Sequence, residues 1–318
     1  MITAVAKRVA ELVVVMVLVS LATFLLSTLL PGDPVRTILG TRNLNAEDYT
    51  RVEHELGLDR PFLQRYGTWL GDAAQGEFGR SLAPPRGPVS ETLSSSIPIS
   101  VELALLASLI ALIIAIPLAM LSAAMADRAL DRAITGTSFV GLSIPEFLAS
   151  LLLILVFVVN GKLLPRLGWV ALTEDPVENL RHAILPALAL ALPLAAFFTQ
   201  VLRNDLVSTL REDYILAARA TGEAPWRILV QGALRPSLFS LLTVAGISIG
   251  YLIGGTAVIE AQFGLPGVGS RLVNAIGTND VPTILAVVLV LSIAYVAINT
   301  AIDLLYRYLD PRIRHGAG

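Results

Sequence analysis

The chain has 318 residues, 55% of them hydrophobic and only 15% charged, with a mean hydropathy of +0.72 and a formal net charge of −2. That composition is the signature of a polytopic membrane protein, and the small net charge says nothing about partners because the charges are segregated along the chain. No cysteine is present, which excludes a disulfide framework, a thiolate metal site and a thiol nucleophile.

The first apolar run extends from about Val9 to Leu30 behind Lys7-Arg8, with Glu11 as its one early charge. Its length and basic flank fit a first transmembrane helix or a long signal sequence. Pro31-Gly32-Asp33-Pro34 supplies no small-residue cleavage site, so an uncleaved helix over 1–30 is expected. Residues 31–96 form the one long polar region. Asn45 can cap a helix carrying Glu47 and Asp48, with Gly57 as its stop. Asp59 can cap a second helix with Pro61 in its first turn. There Phe62, Leu63, Tyr66, Trp69 and Leu70 recur at helical spacing, a face suited equally to the membrane interface or to a helix bundle. Pro84-Pro85-Arg86-Gly87-Pro88 reads as a loop.

Five further apolar spans follow, at roughly 97–124, 134–159, 183–202, 238–259 and 283–306. Each reaches the roughly 20 residues that a hydrocarbon layer of about 30 Å requires. The expected fold is therefore all-α, with six transmembrane helices and residues 97–318 as a five-helix core. Six spans place both termini on one side. Lys7, Arg8, Arg128, Arg132, Arg203, Arg211, Arg219, Arg227, Arg235, Arg307, Arg312 and Arg314 fall on that side. Lys162, Arg166, Arg181 and Arg271 fall on the other, so the positive-inside rule makes the first side cytoplasmic and 31–96 extracytoplasmic.

Pro117, Pro145, Pro186 and Pro193 lie within or at the ends of spans, either as bending points or as static kinks. Glu146 and Glu102 are the intramembrane acids that could meet a substrate amine; either is equally readable as a solvated residue at the boundary. Asp205 and Asp303, near cytoplasmic ends, read as structural. Gly246, Gly250 and Gly254 form a stripe of small residues for close helix approach, to a helix of another chain or of this one.

The fourth and fifth spans are separated by a polar stretch at 203–236, in which Arg203, Arg211, Arg219, Arg227 and Arg235 recur every eight residues. Ala217, Ala218 and Ala220 favour helix, Gly222 ends it and Pro225 starts the next. The pattern predicts a helical hairpin that hands something to a soluble partner; a plain connecting loop with positive-inside charge remains the other reading. After the fifth span comes a segment from Glu260 through Phe263 to Gly269, in which Gly264, Pro266, Gly267 and Gly269 forbid a continuing helix, the pattern of a re-entrant or capping loop. The chain re-forms over Leu272–Ile276, as a capping loop at the outer mouth would.

Catalytic machinery is sparse. Gly161-Lys162 lacks the glycine and hydroxyl residue of a phosphate-binding loop, so any ATP must be hydrolysed by another chain. His54-Glu55 opens an HExxH pattern, but Leu58 stands at the second histidine position, which leaves an intramembrane enzyme without visible residues.

Asp213-Tyr214, Ala217-Ala218, Ala220 and Gly222 resemble the EAA loop of ABC-importer permeases in its peptide-family form, DYxxxAxAxG. Leu216 stands where that motif carries Glu, and Thr221 where peptide permeases often carry Lys. LLPGDP at 29–34, LGLDRPFLQRY and GEFGRSL in the polar region, ExxFGLPGxG at 260–269 and the terminal LDPRIR are similar to the same peptide and nickel family. The similarity is to its B-type subunit. It implies a coupling helix at Asp213, Tyr214, Ala217, Ala218, Arg219, Ala220 and Gly222 that sits in a groove of an ATPase. Ala217, Ala218 and Gly222 would permit close approach there, and the arginines would face acidic partner groups or phospholipid. It further implies a second permease, two ATPase subunits that bind ATP and Mg, an extracytoplasmic solute-binding protein and a bacterial inner-membrane location. The substrate would be a di- or oligopeptide, with nickel or another small solute as the alternative. No cofactor of its own and no nucleic acid are implied.

Overall fold

The computed structural model describes residues 2–29, 35–36, 45–55, 57–84 and 86–309; Pro31 to Pro34, Arg312, Arg314 and His315 lie outside the described residues. Among the described residues there is no strand beyond an isolated bridge between Arg80 and Pro88. Among the described residues four helices are long and apolar enough to cross a membrane, or five if one sharply bent pair counts as a single span. The chain divides into two compact units, Met1–Ser100 with Pro266–Ala297, and Val101–Leu265 with Ile298–Gly318.

In the first unit, helix α1 spans Ile2–Leu29, about 42 Å at the rise of an α-helix. Helix α2 spans Ala46–Glu55 and ends as expected at Gly57, whose φ is +63°. Gly57 N donates to His54 O and Leu58 N to Glu53 O, the paired bonds of a Schellman cap. Asp59 does not cap the next helix. Its Oδ2 lies 2.8 Å from His54 Nδ1, and Pro61 occupies the N-cap of α3, Phe62–Ala74. That hydrogen bond from His54 holds the exposed Asp59 carboxyl below its ordinary pKa.

The aromatic face of α3 packs on α1. Phe62, Tyr66 and Trp69 lie with ring centroids 5.4, 5.6 and 5.8 Å from Phe24, and the Tyr66 hydroxyl is 2.9 Å from Ser20 Oγ. Packing on another helix is thus present in this face, while Leu63 beside it stays 75% exposed.

Helix α4 runs Val89–Ala124, starting eight residues before the apolar run that predicts it. Its early serines do not end the helix, because Val89, Leu93, Ser96 and Ser100 recur at helical spacing and are all buried. Two later helices of this unit, α11 (Val268–Gly277) and α12 (Val281–Leu309), share its core: Val268, Ala286 and Val287 cluster with Val89 and Leu93. Asp280, only 2% exposed, ties down the segment that precedes α4. It accepts from Leu82 N at 3.0 Å, Thr283 Oγ1 at 2.6 Å and Ser81 Oγ.

In the second unit, the span read from sequence as continuous over 134–159 is broken. Helix α5 (Ala129–Ser143) and helix α6 (Glu146–Asn160) meet at 99°. Pro145 has no N–H to donate and forces Ile144 into extended backbone, at φ −83° and ψ 118°. Pro117 lies within α4, and Pro186 and Pro193 lie within α7 without interrupting either helix.

Helix α7 (Pro176–Thr209) extends beyond its predicted apolar run at both ends. Asp175 caps it by accepting from Val177 N and Glu178 N, and Pro176 fills the first helical position. α7 is the hub of this unit. Ala191, Ala195, Phe198, Leu202 and Leu206 pack against Ala111, Ala115, Ala119 and Ala123 of α4 and against Ala233, Leu241 and Ala245. The last three belong to α9 (Pro225–Gly255).

Candidate functional site

The polar hairpin between α7 and α9 is the most sharply built feature of the second unit. α7 ends at Thr209, and helix α8 occupies Asp213–Ala220. Gly222 N donates to Arg219 O and Glu223 N to Ala218 O, a Schellman cap closed by Gly222 at φ +82°. Ala224 is extended and Pro225 opens α9, so the punctuation read from Gly222 and Pro225 is present in the structure.

An eight-residue helix has no stability of its own, so something must seat α8. Ile215 does: it is 1% exposed, and its Cδ1 would lie 2.8 Å from a Cβ placed on Gly232. Tyr214 donates from its hydroxyl to Gly232 O at 3.1 Å. Gly232 belongs to the π-helical turn Ile228–Leu234 of α9. Its missing side chain makes the hollow that Ile215 fills.

The opposite faces of α8 are open. Asp213, Tyr214, Leu216, Ala217, Arg219 and Ala220 are exposed and Ala218 is partly so; a Cβ on Gly222 would meet nothing within 4 Å. Trp226 beside it is 60% exposed, with the Arg227 guanidinium 5.6 Å from its ring centroid. This surface offers a small-residue ridge with the exposed rings of Tyr214 and Trp226; Arg211, Arg219, Arg227 and Arg235 are all exposed, and Arg219 Nη2 donates to Leu210 O at 3.4 Å.

Arg203, the first of the eight-residue series, is not part of that surface. Its Nε and Nη2 each lie 2.6 Å from an oxygen of Asp131 in the first turn of α5, and Asp131 is 2% exposed. The expectation that all five arginines face outward is corrected for Arg203. Pairwise geometry across 72 residues carries no local signal in the sequence.

The segment after the fifth apolar run departs from prediction in where the helix resumes. Glu260 and Phe263 are helical, inside α10 (Ala257–Phe263), and are 0% and 1% exposed. Thr256 Oγ1 donates to Glu260 Oε1 at 2.7 Å, so the carboxylate is held within the helix. The break begins at Gly264, φ +63°, where an added Cβ would lie 3.1 Å from Leu167 Cδ2. Pro266 and Gly267 are non-helical, whereas Gly269 is buried inside α11, which starts four residues earlier than Leu272.

The glycine stripe is not one continuous contact. A Cβ at Gly246 would lie 2.6 Å from Ile302 of the same chain, Gly250 is buried, and Gly254 faces open space. At Gly246 the close approach is thus intramolecular.

Glu102 and Glu146 are both partly buried, the first with the Asn179 side chain beside it, the second in the first turn of α6 at the bend. A pocket of about 220 Å³ at that bend is lined by Thr137, Gly141, Ile144, Ala149, Pro193 and Thr199, and neither glutamate lines it. Thr137 and Thr199 donate to carbonyls of their own helices, which leaves the pocket apolar. Among the described residues no three His, Asp or Glu side chains gather as a metal site, and His54 pairs with Asp59 rather than with a second histidine.

Comparison with known proteins follows the same lines. Residues 115–315 match the family described as "Binding-protein-dependent transport system inner membrane component", and residues 1–104 match its N-terminal counterpart, "Binding-prot-dependent transport system membrane comp, N-term". The chain is 33% identical over 335 residues to the di/tripeptide transport system permease protein DppB of Pseudomonas aeruginosa (strain UCBPP-PA14), covering 99% of each chain. It is 32% identical over 315 residues to the glutathione transport system permease protein GsiC of Escherichia coli (strain K12), covering 99% of this chain and 100% of that one. Its fold is similar to a chain of a solved structure showing inward-facing conformations of the MetNI methionine ABC transporter. That match has a TM-score of 0.55 and 18% identity, and covers 72% of this chain and 99% of the other.

Proposed function

Because the chain belongs to the family of binding-protein-dependent transport system inner membrane components, we propose that it conducts peptides across the inner membrane while separate subunits hydrolyse ATP. It is an ABC-importer permease of the peptide type and a multi-pass membrane protein. Its six spans are α1, α4, the bent α5–α6 pair, α7, α9 and α12, with both termini in the cytoplasm and the region from 31 to the start of α4 outside. The distribution of lysine and arginine over the connections supports that orientation.

The observation that carries the mechanism is α8: a short helix seated by Ile215 whose remaining faces are small, exposed and flanked by arginine. Such a rigid projection fits a groove on a soluble ATPase. Ala217, Ala218 and Gly222 keep the contact close, while Arg211, Arg219 and Arg227 meet acidic groups of that subunit. Closure of two ATPase subunits displaces α8, and because α7 and α9 flank it, the displacement reaches the membrane helices. A second permease subunit completes the pathway, and an extracytoplasmic binding protein delivers substrate. Relatives named for di/tripeptide and glutathione transport support a short peptide as substrate.

The test is uptake by the native complex, isolated through a tag on this chain and reconstituted with its binding protein in proteoliposomes. ATP-dependent accumulation of a labelled tripeptide is expected, with competition by unlabelled di- and tripeptides and none by nickel ions. Uptake of nickel without competition by peptides would overturn the substrate assignment.

A further inference from the structure

Asp131 stands outside the hairpin, yet it holds one of the hairpin's arginines. It lies in the first turn of α5, and its two carboxylate oxygens accept from Arg203 Nε and Nη2, each at 2.6 Å, from Asp127 N at 2.9 Å, and from Ser122 Oγ. These donors come from three places: Ser122 near the end of α4, Asp127 in the α4–α5 turn, and Arg203 on α7. Asp127 is one of the few non-glycine residues at positive φ, +68°, and its N–H is aimed at Asp131 by that conformation.

The apolar packing around this cluster sets alanines against leucines, with Met120, Val207 and Leu210 partly buried beside them. Ala119 and Ala123 of α4 and Ala233 of α9 meet Leu202 and Leu206 of α7, all buried. Apolar contacts of this kind are non-directional, and a directional polar contact adds a single register to them. A bidentate guanidinium–carboxylate pair has one register only. A buried ion pair is weak evidence for stability, and its best-attested use is the specification of register. Arg203 is also six residues from the end of α7, about 9 Å of helix from the turn into α8.

We propose that Asp131 and Arg203 form a positioning clasp through which displacement of the α8 hairpin is delivered to the α4–α5 turn. The clasp touches neither the ATPase nor the substrate. It acts by making the α7 end, the α4 end and the start of α5 move as one body. The proposal rests on the coupling reading of α8 given above. The consequence is specific: loosening the clasp separates ATP hydrolysis from transport without releasing the ATPase subunits.

The experiment uses the complete complex in proteoliposomes and reads three quantities: ATPase subunits retained on the tagged chain, ATP hydrolysed, and labelled tripeptide taken up. In Asp131→Asn, Arg203 loses its charged partner while the side-chain volume is kept. The ATPase subunits are expected to remain bound, and uptake per ATP hydrolysed to fall about tenfold, within the usual range of a coupling between sites. Arg203→Lys keeps the charge but loses the fork, so a smaller fall in the same ratio is expected; this variant decides the matter if Asp131→Asn does not insert. Asp131→Glu in combination with Arg203→Lys, which lengthens one arm and shortens the other, is expected to recover part of the ratio lost by Arg203→Lys alone. An unchanged ratio, or uptake and hydrolysis falling in equal proportion, would overturn the clasp while leaving the coupling reading intact. Failure of the wild-type chain to retain any ATPase would overturn both.

Discussion

Replacing Ile215 with aspartate is expected to detach α8 and abolish transport, while the chain still inserts into the membrane. Ile215 is 1% exposed and is the one buried residue of α8, so the apolar seat of the helix depends on it. An ionised carboxylate in that seat loses its hydration without gaining a partner, at a cost of several kcal/mol. Against this stand the hydrogen bond from Tyr214 to Gly232 O, worth about 1 kcal/mol, and a longer one from Arg219 Nη2 to Leu210 O at 3.4 Å. The balance therefore favours release of α8 as a disordered loop. Uptake is expected to fall by about a hundredfold or more, the equivalent of about 3 kcal/mol. Ile215→Val removes a single methylene, costs about 1 kcal/mol and should leave most of the activity. Normal uptake by the aspartate variant would mean that α8 is not held where the structure places it.

The second large effect is expected at Asp280. Its carboxylate is 2% exposed and accepts from Ser81 Oγ, Leu82 N and Thr283 Oγ1. Asp280→Ala leaves Leu82 N and Thr283 Oγ1 without that acceptor in a buried place, at about 1–3 kcal/mol each, while Ser81 Oγ keeps Ala83 O as an acceptor. The segment keeps the bonds from Ser81 N to Gly87 O and from Val89 N to Gly79 O, so the change loosens it rather than releasing it whole. The thermal midpoint of the purified chain is expected to drop by several degrees. Limited proteolysis is expected to cut first between residues 77 and 88. A cleavage pattern identical to wild type would show that the segment is fixed by other contacts. Asp280→Asn should be milder, because its amide oxygen still accepts.

The parts of this account that were legible in the sequence are those in which a residue constrains its own neighbourhood. Gly222 and Pro225 announce the ends of helices because only certain backbone angles suit them. Apolar runs announce spans because a hydrocarbon layer sets their length. The limits of that reasoning are equally physical. Hydropathy has no direction, so the 134–159 run reads as a straight span even though Pro145 turns it by 99°. Polar residues at helix ends look like loops, so the first turns of α4 are missed although Ser96 and Ser100 are buried along its packed face. Asp131 and Asp280 give no sign of their importance, because Arg203 and Ser81, the partners that tie them to other segments, lie 72 and 199 residues away. Ile215 hides among apolar neighbours; only Gly232, which makes its hollow, could have pointed to it.

The central claim, that α8 is the docking element for a soluble ATPase, is tested most directly by co-purification from membranes. The tagged wild-type chain would be compared with Ala218→Glu and Gly222→Trp. The first places a charge on the small-residue face of α8. The second puts a bulky residue at φ +82°, where side chains are disfavoured, on a surface with nothing else to displace. The account predicts ATPase subunits with the wild type, their loss from both variants, and equal insertion of all three chains. Retention of the ATPase by both variants, or its absence from the wild type, would contradict it.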